Sequence, residues 1–406
     1  MKNIFLNYFN ITFIIIFFPS FVTGIFLPNI IYFFFITINV LFNLKKIQNI
    51  ILSYRKISSL FILFNILILL SSLSSTNIIH SLESSALYFT LIIYVSSIVV
   101  LFKDNKFYRT LFYLSGITVF FIISLDALFE LIYGFNFFGN YAFDGRLAGL
   151  FGDRWVIGRY IVFFLPILFC LYLMESDSFN KFIRYLSIFT FFISIFVVFF
   201  SGERAAFLSM IFYLSLLLIY ILNKLSYKII LTFFIIFLTM IVSPFMFQDT
   251  SQRLQDNFIK YLTNFDINQN QYLAMYTSGY KIFSDNFILG SGPNNFRFIC
   301  SDEQYYESKY SCSTHPHNIP IQLLSETGIF GFLLVYTTFI YFLYKSIQLI
   351  KSRVFNKNYL AIFSLQSSII IYLWPLMVSG NFFLSWYSYI FYLPIGIYLM
   401  YIENNK

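Results

Sequence analysis

Charged side chains make up only 11% of this 406-residue chain, far below the roughly one quarter carried by an ordinary soluble domain. With 59% hydrophobic residues and a mean hydropathy of +0.76, that shortage excludes a large water-soluble core. Histidine and cysteine occur three times each, and neither shows metal-ligand spacing. There is no phosphate-cradling glycine loop ending in Lys-Ser/Thr, no dinucleotide fingerprint and no Gly-x-Ser-x-Gly nucleophile. Chemistry driven by cytoplasmic ATP or a nucleotide sugar is therefore disfavoured, and no metal and no cofactor are expected. The 58 Phe and 32 Tyr match the codon bias of an AT-rich genome, so single aromatics carry little weight.

What the chain does have is apolar blocks near 20 residues long, each enough to cross a bilayer as a helix. They fall near 4–20, 23–43, 57–74, 86–102, 108–128, 158–174, 183–200, 205–222, 228–244, 319–344, 359–378 and 383–402. The expected fold class is all-α: a polytopic membrane protein of about twelve transmembrane helices. Three regions follow. Residues 1–244 hold nine spans with short loops and one outer loop near 131–157. Residues 245–318 form a large, partly helical outer loop, with helices expected at Gln252–Thr263 and Gln271–Asp285. Residues 319–406 hold the last three spans. The first apolar run, from Ile4 to Ser20, lacks a small-residue cleavage site and reads as a span rather than a secretion signal.

The net charge of +8 does not imply nucleic acid. It sits mostly in alternate short loops (Lys45, Lys46, Arg55 and Lys56; Lys103, Lys106 and Arg109; Lys181 and Arg184; Lys224 and Lys228; Lys345, Lys351, Arg353 and Lys357), as the positive-inside rule expects of cytoplasmic loops. Both termini are expected on that side, with the two long loops on the other. The basic residues also differ in kind. The cytoplasmic set has 13 Lys and 4 Arg; the outer set has 3 Lys and 6 Arg: Arg146, Arg154, Arg159, Arg204, Arg253 and Arg297. Guanidinium forks bind phosphate oxygens in pairs where an ammonium does not. That asymmetry points to a phosphate-bearing ligand on the outer face.

One stretch carries the chemistry best. His317-Asn318, nine residues, then Gly328-x2-Gly331 lies where the long loop re-enters the membrane. Pro316 and Pro320 disfavour helix there, and an imidazole can take a proton from a sugar hydroxyl. The bland alternative for His317 is an interfacial cap. His315 lies two residues earlier. Gly328 and Gly331 read as a helix-packing face. Glu203 and Arg204 sit in a link so short that they lie near membrane depth, where ionisable groups are costly; a local Glu203–Arg204 pair is the alternative. Arg146 lies among glycines that permit close backbone approach. Arg159 reads as an interfacial anchor, Asp126 and Glu130 as supporting partners, and Glu326 as orienting a basic partner or as a solvated residue. Cys300 and Cys312 share the long loop, as a disulfide or as free thiols.

These residues resemble the bacterial O-antigen ligase and O-antigen polymerase superfamily. The resemblance rests on the His317-Asn318-x9-Gly328-x2-Gly331 pattern. Three weaker matches agree: Gly145 to Phe151, Ser201-Gly202-Glu203-Arg204-Ala205, and Phe287 to Phe296. It covers roughly residues 140–345. It implies an enzyme of the bacterial inner membrane that transfers a glycan from undecaprenyl diphosphate to a hydroxyl acceptor on the periplasmic face, without metal or nucleotide. The acceptor is lipid A-core for a ligase, the reading favoured by the His/Gly pattern, or a growing glycan for a polymerase. It further implies that His317 acts as base and that Arg204 binds the carrier diphosphate with a second arginine from Arg146, Arg253 and Arg297. His315, Asn318, Glu203, Glu326, Gly328 and Gly331 are implied in support. Relatives often carry an arginine and a tryptophan four apart in the late-loop helix; Tyr272 and Tyr276 stand there, and Asp153-Arg154 replaces a common Pro-Asn pair. A membrane transporter is the rival class; it predicts charges deep within spans and paired broken helices.

Overall fold

The computed structural model describes residues 2–141, 145–152, 154–222, 270–352 and 356–404. The described residues are helical throughout, apart from loops and one isolated bridge between Phe135 and Tyr141. Eight helices come first: α1 Lys2–Thr23, α2 Phe26–Ser53, α3 Arg55–Leu73, α4 Ile78–Phe102, α5 Lys106–Tyr133, α6 Ile157–Glu175, α7 Lys181–Phe200 and α8 Arg204–Leu222. After residue 270 come α9 Gln271–Asp285, the single turn α10 Phe296–Ile299, α11 Ile319–Lys351, α12 Lys357–Tyr372 and α13 Ser385–Asn404. Among the described residues, nine helices (α1–α8 and α11) are long and apolar enough to cross a membrane. The chain is thus a multi-pass membrane protein. The span expected at 228–244, the helix expected at Gln252–Thr263 and Arg253 lie outside the described residues.

Helix starts follow local chemistry. Asn77, Asn105, Asn180, Asn270, Asn318 and Asn356 each accept a backbone N–H of the first turn, relieving donors that no intrahelical carbonyl reaches. Helix α2 kinks at Asn43 (φ −124°, ψ 15°), where the expected apolar block ends, and resumes through Lys45 and Lys46 to Ser53, because Leu, Lys and Gln are good helix formers. Helix α6 lies against α12, α5 against α1 and α7, and α4 against α2, α3 and α13. One apolar core joins them, rich in buried aromatics such as Phe18, Phe112, Tyr160 and Phe164.

The ends of the helices differ in their polar contacts. At one end three ion pairs tie neighbouring helices: Lys103 to Glu403 (3.1 Å), Arg109 to Glu175 (2.6 Å) and Lys357 to Asp177 (2.8 Å). The opposite end gathers α5's carboxylates, the start of α6, the α7–α8 link and the His317 segment. There Asp126 accepts the Phe137 N–H at 2.8 Å, while Glu130 accepts those of Ala148 (3.2 Å) and Gly149 (2.7 Å). Both carboxylates therefore fasten the loop after α5 back onto its own helix. That loop leads to Arg146 and then, through the Leu147 N–H donating to Ser201 O at 3.2 Å, onto the α7–α8 link.

Helix α11 is broken. Gly328 has φ 64°, ψ −170°, a conformation essentially closed to residues with a Cβ. The chain from Phe287 to Asn295 fills the gap. Ile288 O lies against the Gly328 Cα, and the Ile329 N–H donates to Phe287 O at 2.9 Å. Ser291 and Gly292 N–H groups donate to Ser325 O (2.9 Å) and Glu326 O (3.0 Å). Backbone groups freed by a break at membrane depth need such partners. Gly328 thus serves a loop-to-helix contact rather than the helix–helix face expected of it, while a side chain at Gly331 would meet Thr327 of its own helix.

Candidate functional site

The His317 segment is held from several sides. Asn318 caps α11 by accepting the Ile321 N–H (3.1 Å), and its amide donates to Pro375 O at 2.8 Å. The Ser379 N–H donates to His317 O at 2.9 Å, and His315 Nε2 lies 3.2 Å from Ser379 O. These contacts hold His317 at φ 56°, a left-handed conformation that costs a residue with a side chain roughly 1–2 kcal/mol. Such strain persists where surrounding contacts over-determine it, and it clusters at functional sites.

The His317 ring is half-buried, with Nε2 3.2 Å from Ser313 Oγ. The His315 ring lies 4.1 Å away and the Tyr272 ring 6.2 Å away, edge-on, centre to centre. Burial first, and then the positive charge of Arg159, bring the His317 pKa down to about 4. Burial, then His317, Arg159 and Arg297, take His315 down to about 3. Both imidazoles are therefore neutral near pH 7, and a neutral imidazole is a proton acceptor.

Arg159, counted in the sequence among the outer arginines and read also as an interfacial anchor, opens α6. Its Nη1 donates to Tyr387 Oη at 3.0 Å, and its Nε lies 3.7 Å from Glu203 Oε2. Glu203 is buried, and its other oxygen accepts the Gly158 N–H at 2.6 Å. Gly158 has no side chain to block that approach; a Cβ there would strike Glu203 and Ala206. Burial pushes the Glu203 carboxyl up to about 7 against the pull of Arg159. The pairing of Glu203 is with Arg159 across the fold, not with its neighbour Arg204. The signal in the sequence was an arginine one residue after a glycine at the start of a span, which alone does not separate an anchor from a site residue.

The other expected residues divide. Arg204 lies half-buried in the first turn of α8, with no hydrogen bond or ion pair among the described residues. The Arg146 guanidinium sits 5.4 Å from the Trp155 ring centre, a cation–π distance, and its charge reaches Glu203. Arg297 Nη2 donates to Asn294 Oδ1 at 3.4 Å, and its charge reaches His315. Glu326 forms no ion pair among the described residues, although the charge of Arg297 reaches it. It is fully buried and accepts N–H groups from Asn294 (3.1 Å), Phe296 (3.1 Å) and the Gln322 side chain (2.9 Å), clasping the turn that fills the α11 break. Cys300 and Cys312 form a disulfide in the loop just before His315. Among the described residues, no three His, Cys, Asp or Glu side chains gather into a group that could hold a metal ion.

The site therefore offers an uncharged base, held in a strained turn, beside a guanidinium that a distant and partly protonated carboxylate does not fully neutralise. That is a fitting arrangement for taking a proton while anionic charge builds nearby. No curated protein matches the chain. Residues 189–336, which include the second part of α7, all of α8 and α9 and the His317 motif, match the family model described as O-antigen ligase, and this match supports the O-antigen ligase and polymerase superfamily that the sequence motifs resemble.

Proposed function

We propose that the chain is a membrane glycosyltransferase of the O-antigen ligase type. It moves a glycan from undecaprenyl diphosphate to a hydroxyl acceptor at the end of the bundle opposite the basic loops, the periplasmic face of the inner membrane. The single observation that carries this reading is the neutral His317 imidazole in left-handed backbone beside Arg159. The acceptor hydroxyl gives its proton to His317 while its oxygen bonds to the anomeric carbon. The bond from that carbon to the diphosphate breaks, and the diphosphate leaves with the electron pair. One displacement inverts the anomeric centre. Arg204, next to Glu203 in the chain, and Arg146, whose charge reaches Glu203, contribute positive charge for the leaving group, with Arg297, whose charge reaches His315, as a further source.

The His-Asn-x9-Gly-x2-Gly pattern favours a ligase acting on lipid A-core over a polymerase acting on a growing glycan. The test is His317→Ala, followed by surface polysaccharide on gels and by lipid-linked intermediates. A ligase defect leaves long glycan on the carrier lipid and none on lipid A-core. A polymerase defect leaves one repeat unit attached. Normal long-chain attachment in the variant would remove His317 from the mechanism.

A further inference from the structure

The geometry points to Arg159, set between Tyr387 and Glu203, as an anion-binding residue of this site that grips the diphosphate of the lipid-linked donor. The inference rests on the function proposed above and adds to it a residue on α6, outside the matched segment.

Four observations carry it. First, Arg159 is incompletely satisfied. Its contact with Glu203 is 3.7 Å, beyond hydrogen-bond reach, and Glu203 Oε2 is buried with no hydrogen-bond partner. Nη1 is engaged by Tyr387, while Nη2 has no hydrogen-bond partner among the described residues. Second, the side chain is reachable: 28% of its surface is accessible, against 5% for Glu203. Third, its surroundings are built for an anion rather than a carboxylate neighbour. The Tyr387 phenol accepts from Arg159 and so keeps its own proton to give. Tyr272, on α9, is the ring that packs edge-on to His317. Fourth, the charge of Arg159 reaches both His317 and, less strongly, His315. The charged and titratable groups around His317 are then Arg159 from α6, Tyr272 from α9 and His315 from its own segment, with Tyr387 of α13 held to Arg159. Glu203 acts through Arg159, and Arg297 through His315.

The test uses purified full-length protein in lipid nanodiscs with inorganic pyrophosphate as the probe, read as a concentration-dependent rise in thermal unfolding temperature. Arg159→Lys keeps a positive charge beside Glu203 but loses the fork. It is expected to fold with an unshifted transition in buffer alone and to bind pyrophosphate at least tenfold more weakly. Arg154→Lys is the control, because Arg154 lies on the same face and donates to Val22 O at 2.6 Å; it is expected to bind like the unaltered protein. Arg159→Gln also removes the charge that reaches His317, so the acid limb of the transfer rate moves up toward pH 6.5, while Arg159→Lys leaves it in place. Pyrophosphate that fails to bind the unaltered protein, or binds Arg159→Lys equally well, overturns the assignment. Weakened binding in Arg159→Lys with full glycan attachment by His317→Ala keeps the anion site and overturns the transfer chemistry instead.

Discussion

A free imidazole titrates near 6.5; in this fold burial and then Arg159 hold His317 at about 4. The sign of the consequence follows from that direction. As pH falls from 6.5 toward 4, the unfolded chain takes up a proton that the folded one refuses, so His317 makes stability drop over that interval. Activity that needs the neutral ring should stay level from pH 7 to about 5 and fall through about 4. Rates measured across pH 4–7.5 on membranes check this, and a midpoint at 6.5 would show that the ring is not held as described. Glu203 runs the other way. Its carboxyl is raised to about 7, so the folded chain keeps a proton between about 4.5 and 7 that the unfolded chain has released, and this contribution is lost as pH rises through 7. Arg159 shows why part of the site escapes a sequence reading. His317 advertises itself through glycines on its own helix, but the phenol that orients Arg159 is 228 residues away in the chain, and no local spacing announces it.

Eight of the expected spans correspond to α1–α8, because a run of apolar residues suffices to define a helix in lipid. The break in α11 was not legible, since a Gly-x2-Gly pair equally suits close helix packing. The outcome depends on the Phe287–Asn295 turn entering from elsewhere. Gly328→Ala should therefore cost more than an ordinary helix substitution, at least about 2 kcal/mol, because the new Cβ meets Ile288 O as well as forbidden backbone. Thermal unfolding in detergent measures it, and a stability within error of the unaltered protein would contradict the described break. The disulfide gives a second check. Cys300 and Cys312 close a loop with sequence separation 12, for which chain entropy alone suggests about 3 kcal/mol. Denatured, unreduced protein should expose one thiol to maleimide, that of Cys170, and three after reduction.

Across the whole molecule, early and late segments meet at the same polar clasp. Ser71 Oγ donates to Glu326 O (2.9 Å), Ser81 Oγ to Pro293 O (2.9 Å), and the Asn294 amide to Ser84 Oγ (2.7 Å). From the other direction, Gln322 donates to Asn381 (2.7 Å), while Pro375, Ser379 and Tyr387 hold Asn318, His317 and Arg159. A chain ending before residue 375 retains α1–α8 and the His317 motif but loses every one of the latter contacts. It should insert in the membrane, protect its apolar spans from protease and show no transfer, with cleavage appearing near His317. Full protection of that segment in the shortened chain would count against the arrangement. The histidine is thus made long before the residues that aim it. During synthesis the ribosome must deliver nearly the entire polypeptide before the imidazole is set, so a copy still short of its last helix sits in the bilayer with its histidine unaimed.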